Sequence, residues 1–229
     1  MRDLSEPQHI HVVGVGGAGM SAIAEVLMAM GHRVSGSDAA ASPALERLRG
    51  LGVVASVGHD AGHLGPAVDA VAVSTAIPAD NPEVRAAWAR GIPVVRRADV
   101  LAAMTRLRRT IAVAGTHGKT TTSALLSCAL TAAGLEPSFV VGGVLAGFGT
   151  GARWGSGEWL VVEADESDGT FVELPRWGGV VTNVEPDHLD HYGSVEALRG
   201  AFERFVAGIT GPRLVGVDQI GRASCRERV

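Results

Sequence analysis

Cysteine is scarce in this chain and positive charge is not in excess, and each shortage excludes a class of protein. The 229 residues include two cysteines, Cys128 and Cys225, which supply neither a disulfide framework nor a metal-binding spacing. Lysine and arginine total 20 against 24 acidic residues, which gives a net charge of −4. This balance offers no general attraction to nucleic acid or to an anionic membrane, so we expect neither as a partner.

Long hydrophobic runs are also missing. The apolar segments have the length of strands, which predicts no membrane insertion. The short polar start, Met1–Gln8, is not followed by the apolar stretch of a signal peptide. We therefore expect a cytoplasmic protein, and nothing in the sequence indicates its oligomeric state.

Apolar residues and glycine are abundant. Hydrophobic residues make up 46% of the chain and charged residues 19%, which is a globular composition with enough apolar material for a core. The length suits one large domain or two small ones. Several of the 31 glycines cluster directly after predicted strands, where glycine permits tight turns.

The clearest motif is Thr110–Thr122, which has the sequence T-I-A-V-A-G-T-H-G-K-T-T-T. Ile111–Ala114 is typical of a buried parallel strand, and helical spacing of apolar residues begins after Lys119. A strand, a glycine turn and a helix in this order predict a phosphate-binding loop, although Val113 replaces the first glycine of the full pattern. The alternative is an ordinary turn with an exposed lysine. The predicted nucleotide-binding residues are Gly115, Thr116, His117, Gly118, Lys119, Thr120 and Thr121.

Two polar clusters follow later strands. Trp159–Glu163 predicts a strand that ends in an acidic segment, and Gly179–Asn183 predicts a strand that leads to His188 and His191. Ligands of open α/β sheets gather at the carboxyl ends of the strands, and Mg²⁺ beside phosphates is held by carboxylates and water. Glu163 is the best candidate because it stands at a strand end. The alternative is a solvated acidic loop with two surface histidines.

A second glycine loop lies near the start of the chain. Ile10–Val13 predicts a strand, Gly14–Gly19 has the sequence G-V-G-G-A-G, and Met20–Met30 has helical spacing. His32–Ser37 predicts the next strand, and Asp38 stands 19 residues after the last glycine of the loop. This is the dinucleotide-binding pattern, in which the glycines admit a pyrophosphate and the acidic residue binds a ribose. The alternative is a turn that binds no phosphate, with Asp38 as a cap.

Strands and helices alternate along the rest of the chain. The other predicted strands are Val53–Val57, Val68–Val73, Ile92–Val95, Pro137–Val141 and Leu214–Val217, and the other predicted helices are Pro43–Gly50, Asn81–Arg90 and Val100–Leu107. The glycine-rich segment Gly142–Gly157 is interpreted as a long loop. The predicted fold class is α/β, with an N-terminal Rossmann-like parallel sheet domain followed by a P-loop α/β domain.

Six stretches together resemble the Mur ligase family. They are Gly14–Glu25, Gly36–Asp38, Ser74–Ile77, Ala114–Thr122, Glu163–Phe171 and Thr182–Tyr192. The resemblance runs from about residue 8 to about residue 218. It implies a UDP-sugar-binding Rossmann-like domain over residues 1–106 and a partial central ATP-binding domain over residues 107–218.

The resemblance implies an ATP-dependent ligase of peptidoglycan precursor synthesis, with ATP and Mg²⁺ as cofactors. ATP phosphorylates the lactyl carboxylate of UDP-N-acetylmuramate, and the amine of L-alanine then attacks the acyl phosphate. The sequence G-G-A-G-M-S in the first glycine loop favours a member that adds L-alanine over the related member that recycles a tripeptide.

The same resemblance implies a role for individual residues. Lys119 holds the phosphates, Thr120 and Glu163 serve one Mg²⁺, and His188 serves a second. The implied catalytic residues are Lys119, Glu163 and His188; those for the UDP-sugar are Gly16, Gly17, Asp38, His59 and Ser74; and those that support the metal site are Asn183, Glu185 and Asp187.

The chain departs from the family pattern at its C-terminal end. The family has a third, C-terminal ligase domain, which we expect to be absent here, and residues 219–229 break the pattern as a non-native tail would. We therefore expect the 229-residue chain to lack ligase activity by itself.

Two rival interpretations stay open. An NAD-dependent oxidoreductase could be built on Gly14–Asp38, but this leaves the loop at Lys119 and both polar clusters unexplained. A nucleotide sensor without catalytic activity explains both loops, but gives no reason for Glu163 and His188 to converge on a metal.

Overall fold

A computed structural model describes residues 3–216 and divides the chain into two compact units. The first unit contains the residues up to Leu107 together with Gly142–Trp154, and the second contains Arg108–Val141 and the residues from Gly155 onwards. The prediction for residues 219–229 and the last residue of the strand predicted at Leu214–Val217 lie outside the described residues.

The first unit is built around a five-stranded sheet. Its elements are β1 (His9–Val13), α1 (Ala18–Ala29), β2 (Arg33–Asp38), α2 (Pro43–Gly50), β3 (Val54–Val57), β4 (Ala70–Val73), α3 (Pro82–Ala89), β5 (Val94–Arg96) and α4 (Arg97–Arg106), with a 3-10 turn at Ala61–His63. The strand order is β3-β2-β1-β4-β5, and neighbouring strands are parallel. This confirms the predicted Rossmann-like sheet.

Local sequence explains where these elements begin and what they bury. The side chain of Ser42 accepts a hydrogen bond from the Leu45 amide, so that α2 begins at the next residue with proline in its first turn. Every residue of β1 is buried, as expected for the central strand of a parallel sheet. On one face, Val13 packs in a core cluster with Val71 of β4 and Ala87 of α3.

The second unit surrounds the strand that precedes the predicted phosphate loop. The elements along this part of the chain are β6 (Arg109–Ala114), α5 (Lys119–Ala132), β7 (Ser138–Leu145), β8 (Thr150–Arg153), β9 (Trp159–Glu163), β10 (Gly178–Val181), α6 (Leu189–Tyr192), α7 (Val195–Ala207) and β11 (Arg213–Val215). The end of β7 and the whole of β8 belong to the first unit. The strand order is β11-β10-β6-β9-β7-β8. Because β6 lies between β9 and β10 and is parallel to both, the three strand ends that carry the predicted site residues are adjacent.

The interpretation of Gly142–Gly157 as a long loop is wrong. β7 continues through Leu145, and β8 follows at Thr150–Arg153. The Thr150 hydroxyl donates a hydrogen bond to Glu25 Oε2 of α1 at 2.7 Å, which ties this segment into the first unit. Glycine at 155 reflects close packing, since a Cβ there would lie 2.2 Å from the Glu136 carbonyl oxygen.

Two further features concern the helices. α7 is absent from the helices predicted from sequence, although its buried residues Leu198, Ala201, Phe202 and Phe205 have helical spacing. Among residues 3–216, no helix combines the length and the apolar character that crossing a membrane requires.

Candidate functional site

The predicted phosphate loop is a tight turn between β6 and α5. Gly115 has φ 134°, and Gly118, in the left-handed conformation with φ 81°, precedes the first residue of α5. A Cβ at residue 115 would lie 2.0 Å from the Thr182 hydroxyl oxygen, so only glycine fits there. The His117 amide donates to Asn183 Oδ1 at 2.9 Å, which fixes the loop to the end of β10.

Lys119, the predicted phosphate-binding cation, lies inside this turn. Its Nζ donates to the Gly115 carbonyl at 2.8 Å and to both carboxylate oxygens of Glu166, at 2.8 and 3.0 Å. The Glu166 side chain is 1% exposed and that of Lys119 is 14% exposed. The two charges therefore form a largely buried ion pair beside the loop, in which each needs the other as its partner.

Thr120 and Glu163 form a second contact at the same strand ends. The Thr120 hydroxyl lies 3.1 Å from both carboxylate oxygens of Glu163, the last residue of β9. Hydroxyl and carboxylate oxygens are hard donors of the kind that Mg²⁺ prefers, and water and phosphate oxygens usually complete its shell. The residues present thus fit Mg²⁺, although the described part of the chain contains no cluster of three or more His, Cys, Asp or Glu side chains suited to a metal ion.

His188, the residue predicted to serve a second metal ion, lies beside Glu166. Its Nε2 is 4.0 Å from Glu166 Oε1 and 3.8 Å from Asp187 Oδ2. The backbone of His188 has φ 51°, a left-handed conformation that is uncommon for a residue other than glycine. The ring of His191, the other predicted candidate, packs edge-on against Tyr192.

Tyr192 supports the segment that carries Glu166. Its phenolic hydroxyl donates to the Glu166 backbone carbonyl at 2.5 Å. Burial, followed by the charges of Glu166 and Asp168, raises the pKa of Tyr192 to about 12, so the phenol stays a hydrogen-bond donor at neutral pH. Glu166 is not among the residues predicted from the sequence; its only sequence signal is its place in the acidic segment that begins at Glu163.

The remaining residues predicted around the phosphate loop have varied surroundings. Thr116 is buried, its amide donates to the Asn183 carbonyl, and its hydroxyl accepts from the Glu185 amide at 2.9 Å. His117 is exposed, and its Nε2 lies 3.6 Å from Glu185 Oε2. Thr121 is exposed in the first turn of α5.

The glycine loop of the first unit is held by the end of β2. The amides of Gly14 and Val15 donate to the Ser37 carbonyl at 2.8 and 3.0 Å, and the Gly16 amide donates to Asp38 Oδ2 at 2.8 Å. Asp38, predicted to accept hydrogen bonds from a ribose or a base, fastens the loop in this structure. α1 begins directly after Gly17, which has no side chain to cap the first amides of the helix.

The five residues predicted for the UDP-sugar follow four adjacent strands of the first sheet. Gly16 and Gly17 follow β1, Asp38 ends β2, His59 follows β3, and Ser74 follows β4. The Ser74 hydroxyl is 3.6 Å from where a Cβ of Gly14 would stand. His59 Nδ1 lies 3.0 Å from the Ser37 hydroxyl and 3.1 Å from Oε2 of Glu83, a buried carboxylate absent from the sequence prediction. The sequence N-P-E, which ends at Glu83, indicates only the start of a helix.

Comparison with known protein families and curated proteins gives matches over most of the chain. The family described as "Mur ligase family, catalytic domain" matches residues 9–109, and "Mur ligase middle domain" matches residues 113–218. A UDP-N-acetylmuramate--L-alanine ligase of Rhizobium meliloti (strain 1021) is 55% identical over 87% of this chain and 42% of its own length. The chain thus spans less than half of that relative.

Two solved structures share the fold of the chain. A UDP-N-acetylmuramate-alanine ligase from Thermotoga maritima has a TM-score of 0.86 and 31% identity, over 93% of this chain and 50% of that one. A UDP-N-acetylmuramate:L-alanyl-gamma-D-glutamyl-meso-diaminopimelate ligase from Neisseria meningitides has a TM-score of 0.85 and 30% identity, over 93% of this chain and 72% of that one. With two glycine loops, each after a strand that has parallel neighbours, and matches to both domain families in the same order, the chain belongs to the Mur ligase family.

Proposed function

We propose that this chain supplies the UDP-N-acetylmuramate and ATP sites of an enzyme that joins L-alanine to UDP-N-acetylmuramate. One observation carries the proposal: the chain contains two glycine loops, and each lies between a helix and a strand whose two neighbours in the sheet are parallel to it. Each helix start can hold the phosphates of one nucleotide. The name of the Rhizobium meliloti relative, which is 55% identical, supports UDP-N-acetylmuramate and L-alanine as the substrates.

The second unit, over residues 107–218 in our assignment, binds ATP in this proposal. The amides at the start of α5 and the helix dipole favour the phosphates, while Lys119 supplies a point charge. The phosphates have to share Lys119 with Glu166 or take the place of that carboxylate. The loop residues in contact with the nucleotide are Gly115, Thr116, His117, Gly118, Lys119, Thr120 and Thr121.

Mg²⁺ is the cofactor in this proposal. Thr120 and Glu163 are suited to hold one ion through their oxygen atoms, and we assign His188 to a second. When bound, the metal neutralises phosphate charge and aligns the reacting groups. Lys119 adds to that neutralisation, so Lys119, Glu163 and His188 form the proposed catalytic set.

The first unit, over residues 1–106 in our assignment, binds UDP-N-acetylmuramate. The pyrophosphate lies at Gly16 and Gly17, where the loop meets the uncapped start of α1. Asp38, His59 and Ser74 line the ends of the neighbouring strands and contact the rest of the ligand. A pyrophosphate satisfies such a loop whether it belongs to UDP or to NAD, so the loop alone does not select the ligand.

The proposed chemistry consists of two transfers. A carboxylate oxygen of the sugar attacks the terminal phosphorus of ATP and ADP leaves; the amine of L-alanine then attacks the acyl carbon and inorganic phosphate leaves. The two structural matches have almost equal TM-scores, so the fold does not select the amine. The 55% identity to an L-alanine ligase favours L-alanine. We assign this activity to peptidoglycan precursor synthesis in the cytoplasm.

The test measures ligand binding to the 229-residue chain. Binding to the folded state alone raises the melting temperature by mass action. We expect UDP-N-acetylmuramate to raise the melting temperature of the chain and NADH to leave it unchanged. Stabilisation by NADH alone, or by neither ligand, would contradict the proposal.

A pair of glycine variants identifies the loop that is responsible. A Cβ at Gly16 would lie 2.8 Å from Asp38 Oδ2, whereas a Cβ at Gly50, in α2, would meet no atom within 4 Å. Gly16→Ala should therefore abolish stabilisation by the UDP-sugar, and Gly50→Ala should preserve it. Equal responses of the two variants would place the ligand away from this loop.

A further inference from the structure

One buried carboxylate connects three histidines in the first unit. Glu83, in the first turn of α3, has a side chain with 0% exposure. Its Oε1 lies 2.8 Å from His63 Nδ1 and 3.5 Å from His11 Nε2. Its Oε2 accepts from the Ser37 hydroxyl at 2.5 Å and lies 3.1 Å from His59 Nδ1. Side chains from β1, from β2 and from the segment after β3 thus surround the carboxylate of Glu83.

The carboxylate is ionised at neutral pH. Burial alone raises the pKa of Glu83, but the contact with His11 and the hydrogen bonds from Ser37 and His63 outweigh it and hold that pKa at about 2. An ionised carboxylate can only accept hydrogen bonds. The Nδ1 atoms of His59 and His63 must therefore carry the protons that face it.

The geometry of imidazole then determines what the two rings present outwards. With Nδ1 turned to the buried carboxylate, the Nε2 atom of each ring is on the side away from it. The side chains of His59 and His63 are 20% and 25% exposed, whereas that of His11 is 1% exposed. Two rings of the cluster therefore reach the surface, and in the neutral Nδ1–H tautomer that the carboxylate favours their Nε2 atoms are acceptors.

Ser37 connects this cluster to the first glycine loop. Its carbonyl accepts from the Gly14 and Val15 amides, while its hydroxyl contacts both His59 and Glu83. The next residue, Asp38, holds the Gly16 amide. His59 thus lies at the carboxyl end of the sheet, where ligands of such sheets bind, and His63 shares the same carboxylate partner.

We propose that Glu83 is a positioning residue of the nucleotide-sugar site and that His63 is a ligand-contacting residue beside His59. Glu83 fixes both rings as the Nδ1–H tautomer, and each Nε2 accepts a hydrogen bond from a hydroxyl group of the ligand. Ribose and sugar hydroxyls are donors of this kind. The inference rests on the proposed function, since it takes the UDP-sugar as the ligand of the first unit.

Histidine side-chain ¹⁵N spectra of the 229-residue chain test the positioning role without any ligand. In the wild type we expect His59 and His63 as Nδ1–H tautomers. In Glu83→Gln the amide can donate to a ring nitrogen, so at least one of the two rings should change to the Nε2–H form. Glu25→Gln, which removes a carboxylate bonded to Arg47 and Thr150 in the same unit, should leave both rings unchanged. Unchanged spectra in a folded Glu83→Gln would overturn the positioning role.

Calorimetric titration with UDP-N-acetylmuramate tests the contact with the ligand. We expect Kd to rise about tenfold in Glu83→Gln and in His63→Gln, and to stay at the wild-type value in Glu25→Gln. His63→Gln changes a partly exposed side chain, so we expect this variant to fold. It therefore tests the ligand contact even if Glu83→Gln does not fold. If His63→Gln binds the ligand with the wild-type Kd, the proposed contact of His63 is wrong. The proposed function stands in that case, because the ligand still binds. Absence of binding by the wild type would overturn the proposed function and the ligand contact, while the spectra still decide the role of Glu83.

Discussion

The ammonium nitrogen of Lys119 lies 2.8 Å from Oε2 of Glu166, 47 residues further along the chain. The cation of the phosphate loop thus has a partner already, one that is almost fully buried. Tyr192 fixes the backbone of that partner through the Glu166 carbonyl. A phosphate group that binds at this loop would therefore compete with Glu166 for Lys119.

Glu166→Gln should destabilise the chain in the absence of nucleotide. It leaves the largely buried Lys119 without its charged partner, which typically costs about 3 kcal/mol in the free energy of unfolding. Mg·ATP should stabilise this variant more than the wild type, because the phosphates supply a new partner. Denaturant titrations with and without Mg·ATP measure both effects. Glu158→Gln, at an exposed carboxylate, is the control, and equal stability of the two variants would contradict the expectation.

Glu163→Gln should remove most of the effect of Mg²⁺ on ATP binding. The amide keeps the size of the side chain but loses the negative charge that favours a divalent cation beside Thr120. We expect Mg²⁺ to tighten ATP binding by about tenfold in the wild type and hardly at all in the variant. Titrations in Mg²⁺ and in a chelator give the ratio, and an unchanged ratio would exclude Glu163 as a ligand.

Gly115→Ala should disrupt the phosphate loop, whereas Gly134→Ala should not. Both residues have positive φ, 134° and 72°, but the new Cβ would lie 2.0 Å from Thr182 Oγ1 at residue 115 and would meet nothing within 4 Å at residue 134. We expect Gly115→Ala to lower the free energy of unfolding by at least 2 kcal/mol more than Gly134→Ala, roughly the cost of overpacking, and to lose ATP binding. Similar values for the two variants would show that the loop yields to the extra methyl group.

The contribution of Glu83 to stability should depend on pH in the acid range. Its pKa is about 2 in the folded chain against an ordinary 4.5, so its stabilising contribution is complete above about pH 4.5 and is lost as the pH falls towards 2. The difference in unfolding free energy between the wild type and Glu83→Gln should fall by up to about 3 kcal/mol over this window. Denaturant titrations from pH 7 to pH 2.5 measure it. Glu46→Gln, at an exposed carboxylate, should give a flat difference.

Much of the site was accessible from local sequence patterns. The strands before Gly14 and Gly115, the helices after both loops, and the placement of Asp38 and Glu163 at strand ends are all observed. Glycine content alone was misleading between Gly142 and Gly157, because glycine marks close packing as well as loops. The metal and substrate roles of the site residues stay predictions.

Local sequence patterns predict most of the order of strands, glycine turns and helices, apart from β8 and α7, because these patterns reflect interactions between neighbouring residues. Which charges meet depends on the tertiary structure. Glu166 reaches Lys119 because β9 lies beside β6. In the first unit, Glu83 reaches His63 because α3 packs against the 3-10 turn at Ala61–His63, and His11 and His59 meet the same carboxylate. Such pairings depend on strand order and on burial, where a charge must find a partner, and no local pattern encodes them.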